Sequence, residues 1–291
     1  MGSQLSLQQY FIMTTICICG AGTMGSGIAQ VVATAGFRTI LYDVNEGMVE
    51  KASIKISTDL QKLVDKQKLL PGQKEKIFSN LVFTNRIEDC KADLVIEAII
   101  EREDIKVQLF NQLAIYNAEE TIFASNTSSL SISALAEKTS NPQRFAGIHF
   151  FNPAPIMKLV EVVKGKQTSD EVIETLVALT KKLGKIPVVC SDAPGFIVNR
   201  VARPYYIESL RLAEEGIADF ETIDRLMESK GFKMGPFRLM DLIGNDVNYA
   251  VSCSVYEQLG KPERLKPSFI QQQKVNQGSL GKKTGQGYYS Y

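Results

Sequence analysis

Apolar positions along this chain follow two regimes, and the change between them falls near residue 192. Up to that point short apolar runs alternate with amphipathic stretches. The runs 15–19, 38–41, 81–84, 93–98, 122–125, 144–150, 157–163 and 186–190 read as strands. Several are almost continuously apolar, as strands covered on both faces are. Between them, Ile28, Val31, Val32 and Ala35 sit at helical spacing, and residues 46–70, 101–117 and 169–183 also read as helices, the first closed by a Pro71-Gly72 turn. Beyond 192 the stretches 196–215, 219–230 and 245–259 keep the helical period and no alternating strand follows. The pattern predicts an α/β, Rossmann-type doubly wound sheet, mixed but mostly parallel, followed by a smaller all-α domain. The expected divisions are an N-terminal extension over 1–13, a nucleotide-binding domain over 14–192 and a helical substrate and dimerisation domain over 193–291. Ser191-Asp192-Ala193-Pro194-Gly195 supplies the hinge-like joint.

One connection fixes a local direction. Six residues, Phe151 to Ile156, separate the runs 144–150 and 157–163. A parallel crossover needs about a dozen residues or more, so these two strands must be antiparallel if they pair.

The first strand runs directly into Gly20-Ala-Gly22-Thr-Met-Gly25 and then a helix. Gly20 permits the tight turn, Gly22 lets backbone N–H groups approach a pyrophosphate, and Gly25 brings helix and strand close. Thr23 and Met24 belong to the same turn. The second strand ends at Asp43, eighteen residues past Gly25. A carboxylate at that distance accepts hydrogen bonds from an adenosine ribose and repels a 2′-phosphate, so NAD is expected rather than NADP. The alternative is a glycine turn that merely packs a helix on a strand.

Composition removes other classes. With 33 basic and 32 acidic residues in 291, no field gathers nucleic acid or a membrane surface. No uninterrupted apolar stretch is long enough to span a bilayer and the first dozen residues lack a secretory pattern, so a cytoplasmic enzyme is expected. Met13 would itself serve as a natural start. The five cysteines form no C-x-x-C pair and sit mostly in apolar runs, as small core residues of a reducing compartment. With one histidine and no thiolates spaced as ligands, no metal is expected.

That histidine, His149, is the natural candidate for a base that titrates near neutrality; its bland alternative is a satisfied core imidazole. A hairpin centred on Pro155 places Glu161 opposite His149, because each lies six residues from the centre. A glutamate within Leu159-Val-Glu-Val-Val163 is out of place in a buried strand unless something pairs with it. A carboxylate on one imidazole nitrogen fixes the tautomer and favours the imidazolium. The polar cluster Ser125-Asn126-Thr127-Ser128-Ser129 lies at a strand C-terminus, where such sheets bind ligands. The lysines on the 46–70 stretch, Lys51 and Lys55 among them, are either a solvated face or a contact for the phosphates of a bulky anionic substrate.

With these motifs together, the chain from Thr15 to Tyr289 resembles the 3-hydroxyacyl-CoA dehydrogenases, in particular the bacterial 3-hydroxybutyryl-CoA enzymes. The shared motifs are Gly20-Ala-Gly-Thr-Met-Gly-Ser-Gly27, Ser125-Asn-Thr-Ser-Ser129, His149-Phe-Phe-Asn-Pro153, Met157-Lys-Leu-Val-Glu161, Asp192-Ala-Pro-Gly-Phe-Ile-Val-Asn-Arg200, Met234-Gly-Pro-Phe237 and Gly281-Lys-Lys-Thr-Gly-Gln-Gly287. The resemblance implies oxidation of an L-3-hydroxyacyl-CoA by NAD. His149 is then the base, Glu161 its orienting carboxylate, and Ser128 and Asn199 the groups holding the reacting oxygen. Glu101, Lys106 and Asn126 fall beside the cofactor, Asn152 beside the substrate. Left to themselves, Ser128 could equally be the N-cap of the helix starting at Ile132, and Asn199 a helix-surface residue. The Pro194-Gly195 joint favours a cleft position for Asn199. The apolar load of the helical domain, including Tyr205, Tyr206, Met234, Phe237 and Met240, fits core or a homodimer contact. The glycine-rich, basic tail from Leu280 reads as a flexible end. Rival readings are a dehydrogenase of a small free hydroxy acid, for which no Arg clamp is evident, and a non-catalytic dinucleotide-binding protein of the crystallin kind.

Overall fold

The computed structural model describes residues 13–291, so residues 1–12 of the expected extension lie outside it. The chain divides into two compact units, one ending at Asp192 and the other comprising Ala193–Tyr291.

The first unit is built on one eight-stranded sheet. Its strands are β1 (Thr15–Cys19), β2 (Arg38–Tyr42), β3 (Leu81–Thr84), β4 (Leu94–Glu97), β5 (Ile122–Ser125), β6 (Phe145–Phe150), β7 (Leu159–Lys164) and β8 (Ile186–Ser191), in spatial order β3-β2-β1-β4-β5-β6-β7-β8. All neighbours run parallel except β6 and β7, which are antiparallel across the short connection as its length requires. The strand order reverses between β1 and β4, which makes their C-terminal ends the topological switch point where ligands bind in such sheets. The helices are α1 (Thr23–Thr34), α2 (Glu46–Asp65), α3 (Pro71–Ser79), α4 (Glu103–Ala114), α5 (Ile132–Ala136) and α6 (Asp170–Lys182).

Two local readings need correction. Pro71-Gly72 does not end a helix; α2 stops at Asp65, and Pro71 opens α3 at its first position, where its missing N–H costs nothing. The N-cap of α5 is Ser131, whose side chain accepts from Ala134 N, so Ser128 is not the cap.

Side chains alternate along β1. Ile18 faces α1, where a Cβ on Gly25 would meet the Ile18 side chain at 3.6 Å and the Gly20 carbonyl at an impossible 1.7 Å. Cys17 and Cys19 face the other way. In register with Cys19 across the parallel strands stand Tyr42, Glu97 and Ser125, a row of polar groups along one face at the switch-point end.

The second unit contains α7 (Val198–Glu214), α8 (Phe220–Ser229), α9 (Pro236–Ile243), α10 (Asn245–Gln258) and α11 (Phe269–Asn276), around a core of Tyr206, Leu210, Ile223, Phe237, Met240 and Tyr288. The tail is not a loose end. Asp241, almost fully buried, accepts hydrogen bonds from Tyr288 N (2.9 Å), Tyr289 N (3.0 Å) and the Tyr291 hydroxyl (3.1 Å). Gly287 passes so close that a Cβ there would lie 2.0 Å from the Asp241 carboxylate. The tail's glycines permit close packing here, whereas composition alone reads as flexibility.

Candidate active site

The glycine turn joins β1 to α1. Gly20 has φ +107°, and an added Cβ would fall 2.6 Å from the Ala98 carbonyl, so neither the backbone angle nor the space admits a side chain. A Cβ on Gly22, by contrast, would meet nothing. Gly22 is the N-cap of α1 and makes no side-chain cap, and the first turn beginning with Thr23 and Met24 holds no acidic residue. The free N–H groups and open approach suit a pyrophosphate. Asp43 closes the turn from β2: its Oδ2 accepts from Ala21 N at 2.8 Å and its Oδ1 from Asn45 N at 3.0 Å. The carboxylate is fixed and still partly exposed, as a ribose acceptor should be.

Across the switch point, β4 ends in Glu97, which is 0% exposed. Its Oε1 accepts from Lys106 Nζ at 2.5 Å and Ile99 N at 2.7 Å, and its Oε2 from the Ser125 hydroxyl at 2.6 Å. Burial pushes the Glu97 carboxyl above its ordinary value, and the Lys106 charge and these hydrogen bonds offset only part of that rise. Lys106 also reaches Glu101 Oε2 at 3.2 Å. Glu101 Oε1 gathers the Thr127 hydroxyl (2.5 Å), Ser128 N (3.0 Å) and the Ser129 hydroxyl (3.2 Å). Burial would raise Glu101, but Lys106 and these donors outweigh it and hold the carboxyl below its usual range. Lys106 is 1% exposed, so it acts from beneath, holding Glu97 and Glu101, with Glu101 at the surface.

Asn126 links this turn to the next strand: its backbone N–H donates to Glu97 O, and its Oδ1 accepts from Phe150 N at 2.8 Å. One residue earlier on β6, His149 faces Glu161 on β7 in register. His149 is 6% exposed and Glu161 0%. The imidazole Nδ1–H donates to the Glu161 Oε2 carboxylate oxygen at 2.7 Å, so the pair engages Nδ1 and not Nε2. The Phe151 ring lies against the imidazole at 4.5 Å between centroids.

The remaining predicted residues are more dispersed. Asn152 is exposed in the β6–β7 connection. Lys51 is exposed on α2, and Lys55 is paired with Asp59 at 2.5 Å. Asn199 belongs to the second unit, as the second residue of α7, where its carbonyl accepts from Arg203 Nε at 3.0 Å.

Three groups escaped the sequence reading. Glu97 is out of place in an apolar strand by the same rule that singled out Glu161. Lys185 is buried and donates from Nζ to Ala154 O (2.5 Å) and Met157 O (2.7 Å), which fastens the β6–β7 connection. Finally, although no cysteine spacing suggested ligands, Cys17, Cys19 and Cys90 come together.

An anion-ready glycine turn, a carboxylate at the end of the second strand and a buried imidazole–carboxylate pair along one sheet define a nicotinamide-dependent dehydrogenase scaffold. The chain belongs to the 3-hydroxyacyl-CoA dehydrogenase family: residues 15–193 match its NAD binding domain and residues 195–291 its C-terminal domain. It is 48% identical over 279 residues to the 3-hydroxyadipyl-CoA dehydrogenase of Escherichia coli, covering 95% of this chain but 59% of that protein. To the mitochondrial hydroxyacyl-coenzyme A dehydrogenase of Sus scrofa it is 44% identical over 285 residues, covering 95% and 90%. The crystal structure of (S)-3-hydroxybutyryl-CoA dehydrogenase from Ralstonia eutropha superposes with a TM-score of 0.92 at 39% identity, over 96% of this chain and 99% of that one. No helix among the described residues is long and apolar enough to cross a membrane.

Proposed function

We propose that this protein oxidises L-3-hydroxyacyl-CoA thioesters, 3-hydroxybutyryl-CoA foremost, to 3-ketoacyl-CoA with NAD, and catalyses the reverse reduction, in fatty acid or butyrate metabolism. The observation that carries this reading is the His149–Glu161 pair, 2.7 Å apart and buried at the end of the sheet that bears the nucleotide turn. NAD, when bound, supplies the hydride acceptor. Gly20, Gly22, Thr23, Met24 and Gly25 hold its pyrophosphate end, Asp43 the adenosine ribose, and Glu101, steadied by Lys106 and flanked by Asn126, the nicotinamide end. His149 takes the substrate hydroxyl proton at Nε2, and the Glu161 carboxylate stabilises the imidazolium that results. Ser128 contacts the reacting oxygen, and Asn152 lies along the acyl chain. The exposed Lys51, with Lys55, offers charge to the nucleotide end of coenzyme A.

The helical unit exposes Val201, Ile217, Leu226, Phe232 and Phe269. That apolar surface supports a homodimer formed through the second unit. The five free cysteines suit a cytoplasmic, reducing setting.

The test is to mix the protein with NADH and either acetoacetyl-CoA or free acetoacetate and follow nicotinamide absorbance. Rapid loss with the thioester alone is the expected result. Equal turnover of the free acid would favour a small-acid dehydrogenase, and no turnover of either a non-catalytic nucleotide-binding protein.

A further inference from the structure

The face of β1 turned away from α1 carries Cys17 and Cys19, whose sulfurs are 3.8 Å apart. Cys90 reaches them from the connection ahead of β4, and the three Sγ atoms all lie within 4.8 Å of one another. All three residues are 0% exposed. Among the described residues they are the one group of three His, Cys, Asp or Glu donors gathered this closely. The nucleotide turn begins at the residue after Cys19.

Three thiols could simply fill space, since a free cysteine packs as a small hydrophobe. A thiol–thiol hydrogen bond accounts for the approach of Cys17 and Cys19, but the Cys90 thiol, which also lies 3.8 Å from the Arg86 carbonyl oxygen, brings a third sulfur to the same point. Three sulfurs bound to one ion at zinc's bond length of about 2.3 Å stand roughly 4 Å apart, and a larger soft ion spreads them somewhat further, as the Cys17–Cys19 separation of 3.8 Å and the 4.8 Å span of the cluster allow. A disulfide uses the cluster less well. Alternate residues on a strand have Cα atoms about 6.6 Å apart, at the far limit for a bridge, and a bond from Cys90 to either one would leave the third sulfur over.

We propose that Cys17, Cys19 and Cys90 form a three-sulfur site for a single soft divalent d10 ion of the cadmium or mercury kind. Each thiol gives up its proton as its sulfur binds the ion, so the chemistry is ligation without redox change. All-thiolate donors select soft ions over magnesium, calcium or manganese. A divalent ion leaves one net negative charge to bury and a monovalent ion leaves two, so the divalent is favoured. Zinc, which completes its structural sites with a fourth ligand, should bind more weakly here than cadmium.

The reduced full-length protein is titrated with Cd²⁺ while the thiolate-to-cadmium charge-transfer absorption is followed, alongside Cys90→Ala and a Cys190→Ala/Cys253→Ala control. The expected result is saturation at one equivalent in wild type and control, binding weaker by more than about 100-fold in Cys90→Ala, and a higher Tm with Cd²⁺ in wild type and control but not in Cys90→Ala. Circular dichroism and NADH binding verify that each variant is folded. Should Cys90→Ala fail to fold, Cys17→Ala and Cys19→Ala substitute for it, and X-ray absorption of the wild-type complex decides independently by showing a shell of three sulfurs. Unaltered affinity in these variants, binding that follows Cys190 and Cys253, or a shell with fewer than three sulfurs would overturn the proposal.

Discussion

Replacing Lys106 with methionine keeps most of the side-chain volume and removes one charge from a site where two carboxylates depend on it. Glu97 would retain its hydrogen bonds from Ile99 N and the Ser125 hydroxyl but lose its counter-ion, and Glu101 would lose the ammonium 3.2 Å away. Unit charges about 4 Å apart at an effective dielectric of about 20 interact by roughly 4 kcal/mol, and breaking a buried ion pair from one side costs about 3–5 kcal/mol. For a unit of this size that corresponds to a fall in Tm of roughly 6–20 °C at neutral pH. The pH dependence carries the sharper information. Burial already raises Glu97 in the folded state, and loss of Lys106 raises it further. A carboxyl raised on folding binds its proton more tightly folded than unfolded, so its stabilising protonation is present below about pH 4.3 and is lost as pH rises through the elevated folded value. The penalty for Lys106→Met should therefore shrink as the pH is lowered from 7, and Glu97→Gln in the same background should restore part of the Tm at neutral pH. Thermal melts across pH for wild type, both single variants and the double variant provide the test. A pH-independent penalty, or a double variant less stable than Lys106→Met, would refute the argument that an uncompensated Glu97 charge is the cause.

Further consequences concern cofactor, substrate and tail. Asp43→Ala should weaken NADH by about 10- to 100-fold, the value of one charged hydrogen bond, and narrow the preference for NADH over NADPH; an unchanged ratio of kcat/KM values would contradict the assignment. Lys51→Ala should raise KM for the thioester more than Lys55→Ala, because Lys55 is already paired with Asp59, and the effect should fade at high salt; equal KM values at low salt would remove these lysines from the substrate site. Asp241→Ala strands the buried Tyr288 N–H and the part-buried Tyr289 N–H and Tyr291 hydroxyl of the tail and should cost roughly 3 kcal/mol, read as an earlier melt; an unaltered Tm would show that the tail contributes little.

The sheet was legible because its strands are apolar and its connections obey length rules: six residues after Phe150 dictated one antiparallel pair, and distance from Pro155 dictated that His149 meets Glu161. Contacts that no short connection indexes were harder to read. Glu97 meets Ser125 through strand register, Lys106 reaches back along α4, and Cys90 joins Cys17 and Cys19 from a loop. The tail misled because glycine has two uses. It loosens a chain in solvent, and it also lets backbone pass against a buried carboxylate, as at Gly287 beside Asp241.

The claim on which the functional reading rests is that His149 and Glu161 act as one catalytic unit on a hydroxyacyl thioester, and a double-mutant comparison of kcat measures it. His149→Gln should lose about 10²- to 10⁴-fold in acetoacetyl-CoA reduction while NADH binding is retained, since the proposed cofactor contacts are the glycine turn and Asp43. Glu161→Gln should also slow turnover, and the double variant should be scarcely slower than His149→Gln alone, because losses within one unit do not add. Fully multiplicative losses, or a His149→Gln enzyme that turns over within a few-fold of wild type, would contradict it.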